Sequence, residues 1–263
     1  MNRIEKRLNE LKERSEKAFI TYYTAGLPDM ETTRKIIDVQ RGITDVIELG
    51  IPFSDPTADG PVIQQASYEA IQGGASLKKT FSLMDEIRSG GNEQPIVFMM
   101  YYNTIVNYGL DAFVKKCHET GVDGLIVPDL PIEEQEALRD VLKTDDSTIL
   151  IELVSPVSKD RIPEILKDAK GFVYCVSSMG VTGQAADFHK EVVSYLSEVK
   201  SQSPVPVMMG FGIREASDVK PMKDIIDGAI VGSHFINIMR ESKYDPAAAK
   251  EYVTRFKNEL NGI

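Results

Sequence analysis

Short apolar runs, rich in β-branched and aromatic residues, alternate along the chain with amphipathic stretches. Each run has the length of a β-strand, roughly four to eight residues. Most runs are continuously apolar, as is typical of parallel strands that are covered on both faces. The pattern predicts eight strands, at 18–24, 46–51, 95–101, 124–129, 148–155, 172–177, 206–211 and 228–233.

Helical spacing of apolar residues fills the intervals between these runs. Asp29 is a suitable N-cap, and Pro61 suits the first turn of a helix. Ile4, Leu8 and Leu11 form one stripe, which predicts a further helix before the first strand. The other predicted helices cover 30–40, 62–72, 77–88, 110–120, 188–200 and 247–260, and one more opens at Pro131.

The predicted strands start about 30 residues apart, which is the length of one strand with its following helix. Eight such units predict a single (β/α)8 TIM barrel over residues 1–263, with an extra N-terminal helix. The rival fold is a doubly wound open sheet, which more often has a glycine-rich fingerprint after its first strand. Here that turn has the sequence Ala25-Gly26-Leu27-Pro28, which favours the barrel.

Charge and cysteine content narrow the classes of function. The net charge of −10 argues against a broad surface for nucleic acid or for an anionic membrane. Cys117 and Cys175 form no CxxC pair and fit a reducing compartment. The first seven residues lack the apolar stretch of a signal peptide, and no apolar run approaches the length of a membrane span. We therefore expect a cytoplasmic protein.

Two carboxylates near the end of the second predicted strand are candidates for acid–base chemistry. Glu48 has apolar neighbours on both sides, so it is either a buried partner of a Lys or Arg or, as we favour, a functional group. Asp59 follows in a loop, where capping of the helix at Pro61 and catalysis are equally good interpretations. If both are functional, burial would raise the pKa of Glu48, whereas a solvated Asp59 would stay ionised.

Glycine-containing turns follow three of the late strands, at 180–183, 210–213 and 231–233. Backbone N–H groups in such turns bind anions, and barrels often hold a phosphate after strands seven and eight. The turns therefore predict a phosphate site. Tyr174 is either a core or a site residue, with core as the default. The three histidines have no metal-ligand spacing, so we expect no metal site.

The segment 47–61, with sequence IELGIPFSDPTADGP, closely resembles the signature of the tryptophan synthase α chain family. Similar segments follow in order at 101–103, 127–131, 180–183, 210–213 and 231–233. The resemblance implies a TIM barrel and a carbon–carbon lyase of tryptophan biosynthesis. Such an enzyme cleaves indole-3-glycerol phosphate, by a retro-aldol reaction, to indole and glyceraldehyde 3-phosphate.

The resemblance also implies roles for individual residues. Glu48 matches the acid/base glutamate that protonates indole C3, and Asp59 matches the aspartate that binds the indole N–H. Thr182 matches a loop threonine that pairs with this aspartate when the loop closes. The positions that match substrate-binding residues are Tyr22, Tyr174, Thr182, Gly183, Phe211, Gly212, Gly232 and Ser233.

The family implied by the resemblance has a partner, a β chain that uses pyridoxal phosphate and receives indole in an α2β2 heterotetramer. No cofactor is then expected in this chain. The residues in segments that match the partner interface are Pro52, Phe53, Asp55, Pro56 and Asn103. The chain departs from the usual family pattern at Thr57, Thr104, Glu152 and Arg214. Glu152 either alters the mouth of the barrel or pairs with a lysine at its rim.

Three other hypotheses remain on sequence alone. The chain is a lyase that needs no β chain, or it is a non-catalytic barrel that binds a phosphorylated ligand and regulates its partner. An unrelated barrel that acts on a phosphosugar is the third, and the long loop motif argues against it. Indole release, alone and with a β chain, distinguishes the first two from the subunit hypothesis.

Overall fold

A computed structural model describes residues 2–176, 185–210 and 212–262. Its strands form one sheet in which every pairing is parallel. The strands are β1 (Ala18–Thr24), β2 (Val46–Gly50), β3 (Ile96–Met99), β4 (Gly124–Ile126), β5 (Ile149–Leu150), β6 (Glu152–Val154), β7 (Val173–Val176), β8 (Val207–Gly210) and β9 (Gly228–Val231).

The sheet closes on itself through the segment that holds β5 and β6. Hydrogen-bonded neighbours run in the order β5-β4-β3-β2-β1-β9-β8-β7-β6, and the two end strands are consecutive in the chain. At Ile151 the segment changes partner, because β5 pairs with β4 and β6 pairs with β7. The strand predicted at 148–155 is therefore split, but it fills one position of an eight-position barrel. The predicted TIM barrel is confirmed, and the open-sheet alternative is wrong.

Helices surround the barrel, and most of them lie where helical spacing predicts them. They are α1 (Arg3–Glu13), α2 (Met30–Val39), α3 (Pro61–Gln72), α4 (Leu77–Ser89), α5 (Tyr102–Tyr108), α6 (Leu110–Thr120), α7 (Glu136–Leu142), α8 (Ile162–Leu166), α9 (Ala185–Gln202), α10 (Ser233–Glu241) and α11 (Pro246–Gly262). Pro131 opens only the 3-10 turn Ile132–Glu134. Two further 3-10 segments are Pro156–Arg161 and Ala216–Met222. No helix in the described part of the chain combines the length and apolar character that a bilayer crossing requires.

Helix α1 packs its apolar stripe against the interior of the barrel. Its Ile4, Leu8 and Leu11 are buried in one cluster with side chains of the strands. Asn2 caps the helix, and its Nδ2 donates to the carbonyl oxygens of Asp123 (2.8 Å) and Ser147 (2.7 Å). The strand residues in this cluster include Ile20, Val46, Val97, Ile126, Ile149, Ile151, Met208 and Ile230. The extra N-terminal helix is confirmed, and it covers the amino-terminal end of the barrel.

Three aspartates bind neighbouring strands together at this same end. Each stands directly before a strand, and its carboxylate accepts the backbone N–H at or beside the start of the adjacent strand. Asp45 bonds to Phe19 N (2.6 Å), Asp123 to Ile96 N (2.8 Å) and Asp227 to Val207 N (2.7 Å). Each aspartate also forms salt bridges. Asp45 pairs with Arg7 and Lys257, Asp123 pairs with Arg3 and Arg88, and Asp227 pairs with Lys200. Because α1 and these aspartates cover the amino-terminal end of the barrel, we expect the active site at the carboxyl-terminal end.

Candidate active site

Glu48 lies on β2 and points into the barrel, beside Tyr22 of β1 and Val97 of β3 in the strand register. It is 1% exposed, and neither carboxyl oxygen has a hydrogen-bond partner among the described residues. Burial, and next the charge of Asp59, raise the pKa of Glu48 to about 8. A buried carboxyl without a cation does not serve an ion pair, so of the two sequence interpretations the geometry favours the functional one.

Asp59 lies in the loop that joins β2 to α3. Helix α3 has Gly60 as its N-cap and no side-chain cap bond, so Asp59 does not cap the helix. Its Oδ2 accepts a hydrogen bond from the Tyr101 hydroxyl (3.0 Å). Burial raises the pKa of Asp59 to about 6, and the Tyr101 bond opposes that rise. The sequence interpretation had this carboxylate solvated, whereas the structure has it half-buried. It is still mostly ionised at neutral pH.

Two tyrosine rings lie over glycines of the adjacent strands. A Cβ at Gly50 would approach the Tyr22 hydroxyl to 2.1 Å, and a Cβ at Gly210 would approach Cε2 of Tyr174 to 2.1 Å. Both glycines are therefore required by close contact, and both rings border the same cavity as Glu48. Tyr174 lines the cavity and also packs against the core cluster of the barrel, so its role in the site stays a prediction.

A cavity of about 990 Å³ opens at the carboxyl-terminal end of the barrel. It brings together side chains from the first two strands and from the late strands, which the sequence separates by more than a hundred positions. The sequence-predicted site residues that line it are Tyr22, Glu48, Asp59, Tyr174, Gly212, Gly232 and Ser233. Within the described residues, no group of three or more His, Cys, Asp or Glu side chains is arranged to hold a metal ion.

One side of this cavity is suited to an anion. Helix α10 begins at Ser233, and its N-cap Gly232 has no side chain to occupy the free N–H groups. Gly212 has a φ of +67°, in the left-handed region that favours glycine. Arg214 and His234 also line this side, and burial lowers the pKa of His234. These features fit the phosphate site that the glycine turns predict.

Comparison with known proteins agrees with this geometry. A family model described as tryptophan synthase alpha chain matches residues 8–262. The tryptophan synthase alpha chain of Lachnospira eligens is 61% identical over 264 residues, covering 99% of this chain and 100% of that protein. This chain belongs to the tryptophan synthase alpha chain family. The alpha chain of Thermoanaerobacter pseudethanolicus is 44% identical over the full length of both proteins.

Solved structures of the alpha chain family have the same fold. The tryptophan synthase subunit alpha from Legionella pneumophila superposes with a TM-score of 0.90 at 34% identity, and each chain covers all of the other. Tryptophan synthase from M. tuberculosis, in an open form, gives a TM-score of 0.87 at 26% identity over 99% of both chains. The family resemblance found in the sequence is thereby confirmed.

Three of the residues that the family resemblance assigns to substrate binding lie outside the described part of the chain. They are Thr182, Gly183 and Phe211. Their assignment therefore remains a prediction from sequence.

The residues that match the family's partner interface lie at the carboxyl-terminal end of the barrel, and none of them lines the cavity. They occupy the loop after β2 and the start of α5, which follows the neighbouring strand β3. Asp55 and Asn103 are exposed, and Pro52, Phe53 and Pro56 are half-buried. They present a mixed polar and apolar surface.

Glu152, a departure from the usual family pattern, pairs with an arginine rather than a lysine. Its Oε1 accepts from Arg139 Nη2 (2.6 Å) on α7, and its Oε2 accepts from Gln135 Nε2 (3.1 Å). Glu152 is buried, so the three side chains fix α7 to β6. The lysine pairing considered from sequence is wrong, because Arg139 bonds to one carboxyl oxygen of Glu152 and Gln135 bonds to the other.

The most informative residue that sequence reasoning missed is Tyr101. It was noted only as part of a family-like segment, and its bond to Asp59 joins residues 42 positions apart. Gly50 was missed as well, although a signal existed. It stands two residues after Glu48 on the same strand face, where a glycine makes room for a large neighbour.

Proposed function

We propose that Glu48 and Asp59 catalyse the reaction of the tryptophan synthase alpha family in this chain. That reaction is the cleavage of indole-3-glycerol phosphate to indole and glyceraldehyde 3-phosphate, a carbon–carbon lyase step in tryptophan biosynthesis. The observation that carries the proposal is the Glu48 carboxyl, buried without a partner among the described residues and beside a second carboxylate. A protonated acid next to an ionised one is the pair that this chemistry needs.

The carbon–carbon bond breaks only after the indole ring accepts a proton at C3. Glu48 is protonated at neutral pH and donates that proton, which leaves a positive charge on the ring nitrogen. Asp59 binds the ring N–H and stabilises this charge. The Glu48 carboxylate then removes the proton from the glycerol hydroxyl next to the ring. The electron pair of the breaking bond returns to the ring, an aldehyde forms, and Glu48 is protonated again.

The other residues of the cavity bind the two ends of the substrate. The rings of Tyr22 and Tyr174 offer apolar surface to indole, since both border the cavity beside Glu48. Gly212, Gly232 and Ser233 lie where backbone N–H groups at the start of α10 meet a phosphate. Thr182, Gly183 and Phe211 complete the site by resemblance to the family, with Thr182 pairing with the aspartate on loop closure.

The chain acts with a tryptophan synthase β chain in this proposal, as an α2β2 heterotetramer in the cytoplasm. Pyridoxal phosphate belongs to the β chain, and the alpha reaction needs only side chains and backbone groups of this chain. The surface formed by Pro52, Phe53, Asp55, Pro56 and Asn103 supports the contact, because Asp55 and Asn103 are exposed on it. Indole then leaves toward the partner.

The test is indole release from indole-3-glycerol phosphate, measured with and without a β chain. Slow release by the isolated chain, fast release with the partner, and loss in Glu48→Gln support the proposal. Glu31→Gln, which changes an exposed glutamate on α2, is the control and should behave as wild type. Equal and fast release in both conditions contradicts the subunit assignment and indicates a lyase that acts alone. No release in either condition overturns the catalytic assignment.

A further inference from the structure

Tyr101 contacts the loop between β2 and α3 at three points. Its hydroxyl donates to Asp59 Oδ2 (3.0 Å) and accepts the backbone N–H of Ala58 (2.9 Å). Its ring stacks on Phe53, with centroids 4.9 Å apart and an interplanar angle of 20°. One buried side chain thus holds both the beginning and the end of the loop that carries Asp59.

The base of Tyr101 is itself fixed. It is the residue before α5, with a backbone φ of −80° and ψ of 141°, directly after the buried Met100 at the end of the third barrel strand. The Met100 amide bonds to the Ile126 carbonyl (3.0 Å), which ties this position to β4. The hydroxyl is therefore presented from the rigid barrel rather than from another loop.

We infer that Tyr101 is a positioning residue that holds the Asp59 carboxylate in its productive orientation. With Oδ2 bonded to Tyr101, Oδ1 has no hydrogen-bond partner among the described residues and is the oxygen available to the ring N–H of the substrate. A carboxylate that rotates freely would lose this orientation, and the loss would appear in the chemical step. The inference rests on the proposed function, in which Asp59 binds the substrate.

The charges around Asp59 are consistent with this role. Glu48, Tyr22 and Tyr174 face it from β2, β1 and β7, and all three have raised pKa values and are neutral near pH 7. Burial also raises the pKa of Tyr101, so its hydroxyl remains a donor throughout the working range. Within the described residues, the Tyr101 bond is then the interaction that favours ionised Asp59 over its neutral form.

The variant Tyr101→Phe removes the hydroxyl and keeps the ring that stacks on Phe53. We expect kcat for indole release to fall by about tenfold to a hundredfold, because a hydrogen bond to a charged group is lost, with a smaller change in KM. Tyr102→Phe is the matched control, since it removes a neighbouring hydroxyl that has no bond to the loop, and it should behave as wild type. Equal kcat values in the two variants would overturn the inference.

A second measurement does not depend on activity. Aspartate labelled with ¹³C at the carboxyl carbon reports the titration of Asp59 by NMR, and Asp59→Asn assigns the signal. In Tyr101→Phe we expect the Asp59 pKa to rise, because the bond that stabilises its ionised form is absent. An unchanged titration overturns the inference even if the wild-type chain releases no indole. A wild-type chain without activity, by contrast, overturns the proposed function.

Discussion

The pH dependence of catalysis follows from the two carboxyls having opposite tasks. In the proposed mechanism, Glu48 must be protonated to donate to the ring, and Asp59 must be ionised to bind the ring N–H. Their pKa values are about 8 and about 6, so the protonation states required for the reaction coexist between these values. We therefore expect a bell-shaped profile of kcat/KM, which reports the free enzyme.

The size of the effect can be worked out from the same values. At pH 7 each carboxyl is about nine-tenths in the required form, since each pKa lies about one unit away. At pH 5 about one-tenth of Asp59 is ionised, and at pH 9 about one-tenth of Glu48 is protonated. The rate constant should thus fall by about tenfold on each side of the optimum.

The assay is kcat/KM for indole release from pH 5 to pH 9.5, in the complex with the β chain. The substrate phosphate also titrates, with a second pKa of about 6, so the acidic limb needs a control. Asp59→Asn has lower activity and should lose the acidic limb if Asp59 causes it, but not if the phosphate does. The variant should also move the basic limb to lower pH, because the Asp59 charge helps to raise the pKa of Glu48. An unchanged acidic limb together with an unmoved basic limb would refute the reasoning.

Three further predictions concern stability and the shape of the site. Burial raises the pKa of Glu48 in the folded protein to about 8, so the free energy of unfolding of the wild type falls as pH rises from about 4.5 to about 8. Glu48→Gln does not titrate, so in urea unfolding it should become more stable than wild type across this pH range, by at most about 5 kcal/mol. Gly210→Ala places a Cβ against the Tyr174 ring, so it should lower the free energy of unfolding by about 1–3 kcal/mol and raise KM. The second substitution Tyr174→Leu should restore stability. If neither stability nor KM changes in Gly210→Ala, the contact is contradicted. Asp123→Ala leaves Arg88 without its carboxylate partner, although backbone carbonyls still accept from its guanidinium. The variant should cost about 3–5 kcal/mol in urea unfolding, while KM stays unchanged if this end is purely structural.

Much of the fold was predictable because most strands have a continuous apolar run and most helices have their own start signal. Asp29 shows this well, since its side chain accepts from Thr32 N as an N-cap. The split of the fifth strand at Ile151 was not predictable, because it reflects a change of hydrogen-bond partner and not a change of local propensity. Helix α5 was missed for a different reason. Its seven residues are too few for a clear helical period.

The candidate site was predictable to a different extent for each carboxyl. Glu48 was identified as a candidate functional residue because burying a charged side chain in an apolar run costs free energy, so such a residue tends to mark a functional site. Asp59 was ambiguous, since Asp before Gly-Pro fits both a cap and a catalytic loop, and only the backbone shows that Gly60 is the cap. Tyr101 carried no signal of its own. Its role depends on the distance between the end of the third barrel strand and the loop after β2, which only the closed barrel defines.

Within the described residues, buried Asp45 and Asp123 at one end of the barrel are paired and Glu48 at the other is unpaired, which fits a structural role for the first end and the proposed catalytic role for the second. At the amino-terminal end, buried Asp45 and Asp123 each have cations and a backbone N–H, which offset part of their desolvation. At the carboxyl-terminal end, Glu48 has neither among the described residues, and it keeps its proton instead. A partner for Glu48 would remove the cost of burial, but it would also lower the pKa and leave no proton to donate. The unpaired carboxyl is therefore a destabilising feature that the proposed reaction requires, and a barrel whose other end is firmly bonded can tolerate it.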